Sequence, residues 1–173
     1  TITQIAGLKA TQIGSISSTG IGSFSTDEIA ALPATQLAGL VRVQLRALST
    51  AQVAALTATQ ISAFGPEQLA NFTSTELNAF SDTQFGAITG PQMGALTSSQ
   101  INNFVETRIG ALTPAQLSGL TSTQISGFSA TTIAPLTVAQ IDALAPTQIA
   151  GFTTTQIAAM TPEQQQAIIR AVS

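Results

Sequence analysis

Every eighth residue of this chain is large and apolar, from Leu8 to Ile168, without an exception in 21 copies. When this residue is numbered position 8 of an octad, position 5 is also large and apolar in 20 of the 21 copies. The sequence is therefore one unit, T-x-x-Q-I-x-x-L, repeated over residues 1–168. So short a unit can bury its apolar residues only against neighbouring copies. The pattern predicts a repeat solenoid that forms a single domain over residues 1–173.

The first four positions of the octad have the residues of a helix start. Position 1 is Ser or Thr in 15 copies, and position 4 is Gln in 16 copies. This is the capping box, in which the hydroxyl accepts from a backbone N–H of the first turn and the Gln side chain accepts from the N–H of the cap residue. Position 2 is the first helical residue, where proline is well tolerated, and it is occupied by Pro66, Pro114, Pro146 and Pro162. We expect one short capped helix and one turn in every octad.

Two other folds fit the eight-residue period less well. A continuous α-helix advances about 100° per residue, so an eight-residue repeat would drift by about 80° per copy and spread the apolar residues around the helix. A β-solenoid needs alternating apolar residues, whereas positions 5 and 8 are three residues apart. The sequence thus favours an all-α solenoid of 21 octapeptide repeats.

Small residues at positions 6 and 7 predict close contact between backbones, and Gly or Asn there would suit a left-handed turn after each helix.

Two spacings in the sequence bear on the number of octads in one superhelical turn, and they disagree. Phe80, Phe104, Phe128 and Phe152 recur every 24 residues, which indicates three octads per turn. The position-2 prolines are separated by multiples of 16 residues, which indicates two. We favour three.

The last copy departs from the pattern, since Gln165 replaces the apolar residue of position 5. We expect a C-terminal cap over about residues 161–173, with a longer helix from Pro162 to about Ala171. Gln165 would face water, while Ile168, Ile169 and Val172 would cover the end of the core. The N-terminal octad has no such change and is already in register at Thr1. We therefore expect a chain cut from a longer array or freed of its leader, and a sequence that permits end-to-end self-association.

Composition excludes several classes of function. The chain has no Cys, His, Trp or Tyr, which removes disulfides, thiolate nucleophiles, His-based catalysis and His or Cys metal sites. We expect no enzyme activity, no catalytic residue, no cofactor and no metal. Charged residues make up 8% and the formal net charge is −3, which argues against nucleic acid as a partner. No apolar run approaches the roughly 18 residues of a membrane span.

Two surface features are candidate binding sites. Arg42 and Arg46 are spaced i, i+4 in the least regular octad, and Arg108 occupies a position where Gln is expected. These three arginines could bind an anion or a partner, although solvated charges are the simpler interpretation. Position 3 is Thr in 12 copies, and a regular row of threonines could bind ice or carry or bind glycans. A neutral solvated face is the simpler interpretation here as well.

The T-x-x-Q-I-x-x-L units, such as those over residues 121–128 and 153–160, resemble the repeat arrays of very large bacterial secreted and cell-surface proteins. The resemblance covers residues 1–168 and implies an extracellular or cell-surface location. It also implies a stalk, a spacer or an adhesin-like segment. The main expectation is a non-enzymatic structural region of such a protein. The alternative is a binding module that uses the Thr-rich face, with ice or a glycan as its ligand.

Overall fold

The computed structural model of the chain describes residues 2–172, and Thr1 and Ser173 lie outside the described residues. Within that range the chain is an all-α repeat solenoid with one helix per octad. It divides into two compact units, unit 1 (Thr1–Ile88) and unit 2 (Thr89–Ser173), and each is described by itself. That residues 1–173 form a single domain stays a prediction. The helices are α1 Ile2–Ala6, α2 Ala10–Gly14, α3 Ser18–Gly22, α4 Thr26–Ala31, α5 Ala34–Leu37, α6 Arg42–Leu45, α7 Thr50–Ala54, α8 Ala58–Ala63, α9 Pro66–Leu69, α10 Ser74–Ala79, α11 Asp82–Gly86, α12 Gly90–Ala95, α13 Ser98–Asn102, α14 Glu106–Gly110, α15 Pro114–Ser118, α16 Ser122–Ser126, α17 Ala130–Ile133, α18 Val138–Asp142, α19 Pro146–Ile149, α20 Thr154–Ala158 and α21 Pro162–Val172.

A capping box marks the start of most helices, as the sequence predicts. At α16, the Thr121 hydroxyl accepts from the backbone N–H of Gln124 at 3.1 Å, and Gln124 Oε1 accepts from the backbone N–H of Thr121 at 2.7 Å. Thr121 itself is extended, with φ −89° and ψ 155°. The two reciprocal hydrogen bonds satisfy N–H groups that a short helix cannot satisfy internally.

The prediction of left-handed turns is wrong. No residue within 2–172 has a positive φ, glycines included. Position 7 instead continues the right-handed helical conformation, as at Gly127 with φ −87° and ψ 0°. Position 8 then turns to an extended conformation, as at Phe64 with φ −61° and ψ 139°. The change of direction therefore comes from one extended residue, which any L-amino acid can supply.

Positions 5 and 8 form the apolar core, as predicted. Position 8 is buried in every repeat from Leu32 to Ile168, and position 5 is buried from Ile13 to Ile149. Rings on successive repeats meet edge to face in unit 1, where the Phe72 centroid lies 5.5 Å from that of Phe64 and 6.1 Å from that of Phe80. The sequence did not predict a third buried column. Polar position 4 is also buried in most repeats from Gln36 onward.

Within each unit, helices pack mainly on the helix three repeats away, such as α7 on α10 and α12 on α15. This confirms the prediction that helices three octads apart are in contact and contradicts the spacing of two octads.

Glycines allow the backbones of contacting repeats to come close together. A Cβ on Gly119 would overlap the carbonyl oxygen of Gly90, and a Cβ on Gly151 would lie 2.6 Å from the carbonyl oxygen of Ser122. Position 7 therefore needs a small residue because a neighbouring backbone occupies the space of a side chain.

The C-terminal helix α21 has 11 residues, whereas α1 to α20 have four to six. It packs on α18 and α19 and buries Ala167 and Ile168. The predicted longer helix is confirmed, but Ile169 is 52% exposed and does not cover the core. The predicted role of the Val172 side chain lies outside the described residues. No helix within residues 2–172 has the length and apolar character needed to cross a bilayer.

Candidate functional site

The buried position-4 glutamines form the most regular polar arrangement in the molecule. At Gln148, Oε1 accepts from the backbone N–H of Ala145 at 2.9 Å. Its Nε2 donates to the carbonyls of Leu117 and Leu120, each at 2.7 Å. These two carbonyls belong to positions 5 and 8 of the octad four repeats earlier. One side chain thus caps its own helix and binds a neighbouring turn of the solenoid.

The same pattern recurs along both units, and we call it the glutamine ladder. In each case Nε2 donates to carbonyls 28 to 31 residues earlier, as Gln44 does to Ile13 and Ile16. Helices therefore pack three repeats apart, while the ladder joins repeats four apart. Members of the ladder include Gln36, Gln44, Gln52, Gln60, Gln68, Gln84, Gln124, Gln140, Gln148, Gln156 and Gln164.

The ladder has a simple physical cause. The last carbonyls of an α-helix have no intrahelical partner, and a helix of about one turn is mostly such ends. A buried carbonyl without a partner costs about 1 to 3 kcal/mol. The Gln amide supplies two N–H donors for these carbonyls while its oxygen stays on the cap. We call one such Gln side chain with its hydrogen bonds a rung of the ladder. Each rung therefore satisfies polar groups of two separate octads.

Each member of the ladder makes two kinds of hydrogen bond. In the capping half, Gln Oε1 accepts from the backbone N–H of position 1, and in the ladder half, Nε2 donates to carbonyls 28 to 31 residues earlier. The sequence predicts the capping half but not the ladder half. A capping box accepts either Gln or Glu at position 4, yet Gln occurs there in 16 copies and Glu in two. That bias is the signal that could have revealed it, because only the amide can donate as well as accept. Glu28, in the fourth repeat, is half-buried, whereas Glu76 is 8% exposed. Glu76 Oε2 accepts from the N–H and the hydroxyl of Thr73 at 2.6 and 2.9 Å.

One ladder member in unit 1 has an unsatisfied oxygen. Gln36 is 3% exposed, and its Nε2 donates to Ile5, Ala6 and Leu8 carbonyls in the usual register. Its Oε1 has no hydrogen-bond partner. Position 1 of this octad is Pro33, which has no N–H to donate. The ladder half of this rung is intact and its capping half is lost.

A different departure occurs in unit 2, where Thr132 replaces Gln at position 4. The backbone N–H of Ser129 donates to Asn102 Oδ1 at 3.0 Å, and the Thr132 hydroxyl donates to the same oxygen at 2.7 Å. Asn102 Nδ2 donates to the carbonyl of Gly127 at 2.9 Å. Asn102 thus takes over the acceptor role of the missing Gln from three to four repeats away.

The three candidate arginines lie in different surroundings. Arg42 and Arg46 are exposed on unit 1, beside the exposed side chains of Val41 and Val43. Arg108, in unit 2, is 8% exposed and occupies the column that Gln occupies elsewhere. That these arginines bind a partner stays a prediction. Among the described residues, no three His, Cys, Asp or Glu side chains gather into a set that could hold a metal ion.

Position 3 is exposed in every repeat, from Thr3 to Glu163. The Thr-rich face predicted from the sequence is therefore a solvent-facing feature of each unit. In unit 2 it borders an open groove of about 360 Å³. The groove is lined by hydroxyls and small residues, namely Ser122, Thr123, Ser126, Ala150, Gly151 and Thr153, with Phe152 beside them.

The chain shows similarity to known sequences over part of its length. The ALTTAQ repeat family model matches residues 42–74 and, overlapping with these, residues 61–98. The matched stretch contains α6 to α12, including most of the ladder of unit 1. No curated protein matches the chain. Family similarity and architecture agree that this is a repeat protein built from short helices.

Proposed function

We propose that the chain is a non-enzymatic structural region of a bacterial secreted or cell-surface protein, acting as a stalk, a spacer or an adhesive segment. The observation that carries the proposal is the glutamine ladder. The most regular buried polar groups of the molecule hold repeats to one another. The sequence also has no His and no Cys, two side chains that enzymes commonly use for acid–base and nucleophilic chemistry.

Such an architecture suits a segment that must resist being pulled apart. Each rung joins octads that lie 28 to 31 residues apart in the chain, so extending the chain requires breaking side-chain hydrogen bonds as well as apolar contacts. In repeat proteins stability is a sum of repeat and interface terms, which lets length vary without a change in design. Both properties fit a spacer.

Location and mechanical role need separate tests. Antibodies against the chain should label intact cells of the bacterium that carries it as strongly as permeabilised cells, and labelling confined to permeabilised cells would contradict a surface location. In force spectroscopy, wild-type protein should unfold repeat by repeat at higher force than Gln148→Ala. Equal forces for the two proteins would remove the ladder from the mechanical account.

The groove beside Thr123 favours one second candidate, a binding module for a glycan. Its hydroxyls come from Ser122, Thr123, Ser126 and Thr153, and hydroxyl-rich clefts can hydrogen-bond to sugars. A glycan array should then detect binding by the wild type that is lost in Ser126→Val, and retained in Thr75→Val on unit 1. An ice-shaping assay on the same proteins tests the ice-binding form of this alternative.

A further inference from the structure

One buried position 4 in unit 1 carries a carboxylate instead of the amide of the ladder. Glu76, on α10, is 8% exposed, and its Oε2 accepts from the backbone N–H and the hydroxyl of Thr73 at 2.6 and 2.9 Å. Gln84 Oε1, one octad later, accepts from the backbone N–H of Ser81 at 2.6 Å. The Glu76 carboxylate is therefore held in the orientation of a ladder glutamine, with Oε1 in the place of Nε2.

The register of the ladder identifies the groups that Glu76 Oε1 faces. Gln68 Nε2, one octad earlier, donates to carbonyls 31 and 28 residues before it, at 2.9 and 2.8 Å. The same two offsets from Glu76 lead to the carbonyls of Leu45 and Leu48, at positions 5 and 8 of the octad that contains α6. We call Glu76 Oε1 and these two carbonyl oxygens the acceptor cluster. An intact rung has an amide donor where this one has a third oxygen.

The acceptor cluster has no hydrogen-bond donor to share. An ionised carboxylate and a carbonyl can only accept hydrogen bonds. The Leu45 carbonyl accepts from the backbone N–H of Leu48 at 3.3 Å, and within residues 2–172 no protein group donates to the Leu48 carbonyl. Arg42 and Arg46 are exposed, and in the same range no ion pair joins either of them to Glu76. Oxygens arranged in this way repel one another, and a cation between them would turn repulsion into attraction.

We propose that the acceptor cluster binds Ca²⁺. This ion takes carboxylate and backbone carbonyl oxygens as ligands at about 2.3 to 2.6 Å, in a flexible geometry that water molecules can complete. Mg²⁺ fits less well because it requires a near-ideal octahedron and gives up its water reluctantly. The bound ion replaces the amide hydrogens of an intact rung, so it joins the octad of Glu76 to the octad four repeats earlier.

The missing His and Cys do not exclude such a site. They are ligands of zinc and other transition metals, whereas Ca²⁺ prefers the oxygens that this cluster supplies. The expectation of no metal, which rested on those missing side chains, therefore does not extend to a site made only of oxygens.

The site should be weak, because one carboxylate provides its only formal charge. Ca²⁺ takes about six to eight oxygen ligands, so water supplies most of them, and we expect a Kd on the order of 1 mM. Since the cluster exists only in the folded chain, Ca²⁺ should stabilise the protein in proportion to its occupancy. At about ten times the Kd, the ratio of folded to unfolded protein should rise about tenfold.

Urea denaturation with and without Ca²⁺ tests the site. About 10 mM CaCl₂ should raise the midpoint of wild type relative to a calcium-free sample with NaCl at the same ionic strength. Glu76→Gln restores the amide of the other rungs, so it should fold and should not respond to Ca²⁺. Glu67→Gln makes the same change of charge at an exposed position 3 of the preceding octad, and it should respond as wild type does.

Carbonyl ¹³C chemical shifts locate the ion. A Ca²⁺ titration should move the signals of the Leu45 and Leu48 carbonyls and of the Glu76 carboxyl carbon with one common Kd. The Leu40 carbonyl, which Gln68 already binds at 2.8 Å, should not move. In Glu76→Gln the signals of Leu45 and Leu48 should stay in place as well.

Three results would overturn the proposal. An equal shift of the midpoint in wild type and Glu76→Gln would assign the effect of Ca²⁺ to another surface. Carbonyl and carboxyl signals that do not respond to Ca²⁺ would show that the cluster binds no such ion. If these signals respond to acid but not to Ca²⁺, a proton on Glu76 completes the rung in place of a metal.

Discussion

The repeats that begin at Pro33 and Ser129 depart from the glutamine ladder in different ways, and the two breaks have opposite consequences. In unit 1, Pro33 removes the N–H that Gln36 should accept, and Gln36 Oε1 is left buried without a partner. In unit 2, Thr132 replaces the Gln itself, and Asn102 from an earlier repeat accepts from Ser129 in its place. One defect is left open and the other is repaired by a neighbouring turn.

The comparison shows that a rung consists of two separable halves. The capping half needs a backbone N–H at position 1 and an oxygen that accepts from it. A missing acceptor can be replaced by a side chain from another repeat, as Asn102 Oδ1 does for the N–H of Ser129. A missing N–H cannot be replaced by any side chain, and Gln36 Oε1 is therefore left without a partner.

The largest effect is expected where turns touch through backbone rather than through side chains. Gly119→Ala places a methyl group against the backbone of Gly90, and we expect a loss of about 3 kcal/mol in the free energy of unfolding. Gly86 has no atom within 4 Å of its would-be Cβ, so Gly86→Ala should stabilise by about 0.5 kcal/mol. Urea denaturation measures both, and equal effects at the two sites would refute the close contact.

The loss in the free energy of unfolding when an intact rung is removed is the reference for the two broken rungs. Gln148→Ala leaves two carbonyls and one N–H without their partner, and we expect a loss of about 2 to 3 kcal/mol. Gln148→Glu keeps the capping oxygen but turns the other oxygen toward the carbonyls of Leu117 and Leu120. It should therefore destabilise at least as much as Gln148→Ala. If capping alone mattered, Glu would be tolerated, and a near-neutral result for Gln148→Glu in urea denaturation would contradict the ladder.

Two further substitutions serve as controls for Gln148→Ala and Gln148→Glu. Gln166 is exposed on α21, and Gln166→Ala should change the free energy of unfolding by less than about 0.5 kcal/mol. Glu76→Gln is the reverse of the test substitution, because it supplies an amide donor at a buried position 4. This variant should be more stable than wild type.

The repaired break predicts strong coupling between two residues far apart in the sequence. Asn102→Ala removes the acceptor for Ser129, and Thr132→Gln alone should be destabilising because Asn102 occupies the space that the new amide needs. The double variant should restore a normal rung to the carbonyls of Ile101 and Phe104. We expect a coupling energy of about 1 to 2 kcal/mol in a double-mutant cycle. Additive effects would mean that Asn102 does not substitute for the missing Gln.

The open break should be the easiest to improve. Pro33→Ser supplies an N–H for Gln36 Oε1 and a capping hydroxyl, and it gives up the chain stiffness of proline. The net gain should be about 1 kcal/mol. Pro33→Ala supplies only the N–H and should gain less. Thermal denaturation of the three proteins checks the order, and a loss of stability in Pro33→Ser would show that the buried oxygen is not the defect.

The sequence predicts those features of the fold that depend on residues close together in the chain. The cap at Thr121 and the helix start at Pro162 depend on residues within one octad, and the sequence predicts both. The core columns follow from the period alone. These features are local, so one copy of the repeat is enough to define them.

The missed features involve residues that one octad does not bring together. The partners of Gln148 lie 28 and 31 residues away, a separation that depends on how many octads one turn of the solenoid holds. The apolar character of Ile169 predicts a buried side chain, yet α21 turns Ala167 and Ile168 inward and leaves Ile169 exposed. The sequence predicts that Gln165 faces water, but its side chain is half-buried because it donates to the carbonyls of Ile157 and Met160.

Hydrogen exchange at the glutamine side-chain amides tests the ladder most directly. Followed by NMR, the Nε2 protons of Gln44, Gln124, Gln148 and Gln156 should exchange slowly and only when the protein opens, because each is hydrogen-bonded in a buried site. The exposed side chain of Gln166 should exchange at the rate of a free amide. If the amide of Gln148 exchanges as fast as that of Gln166 under native conditions, the ladder does not exist.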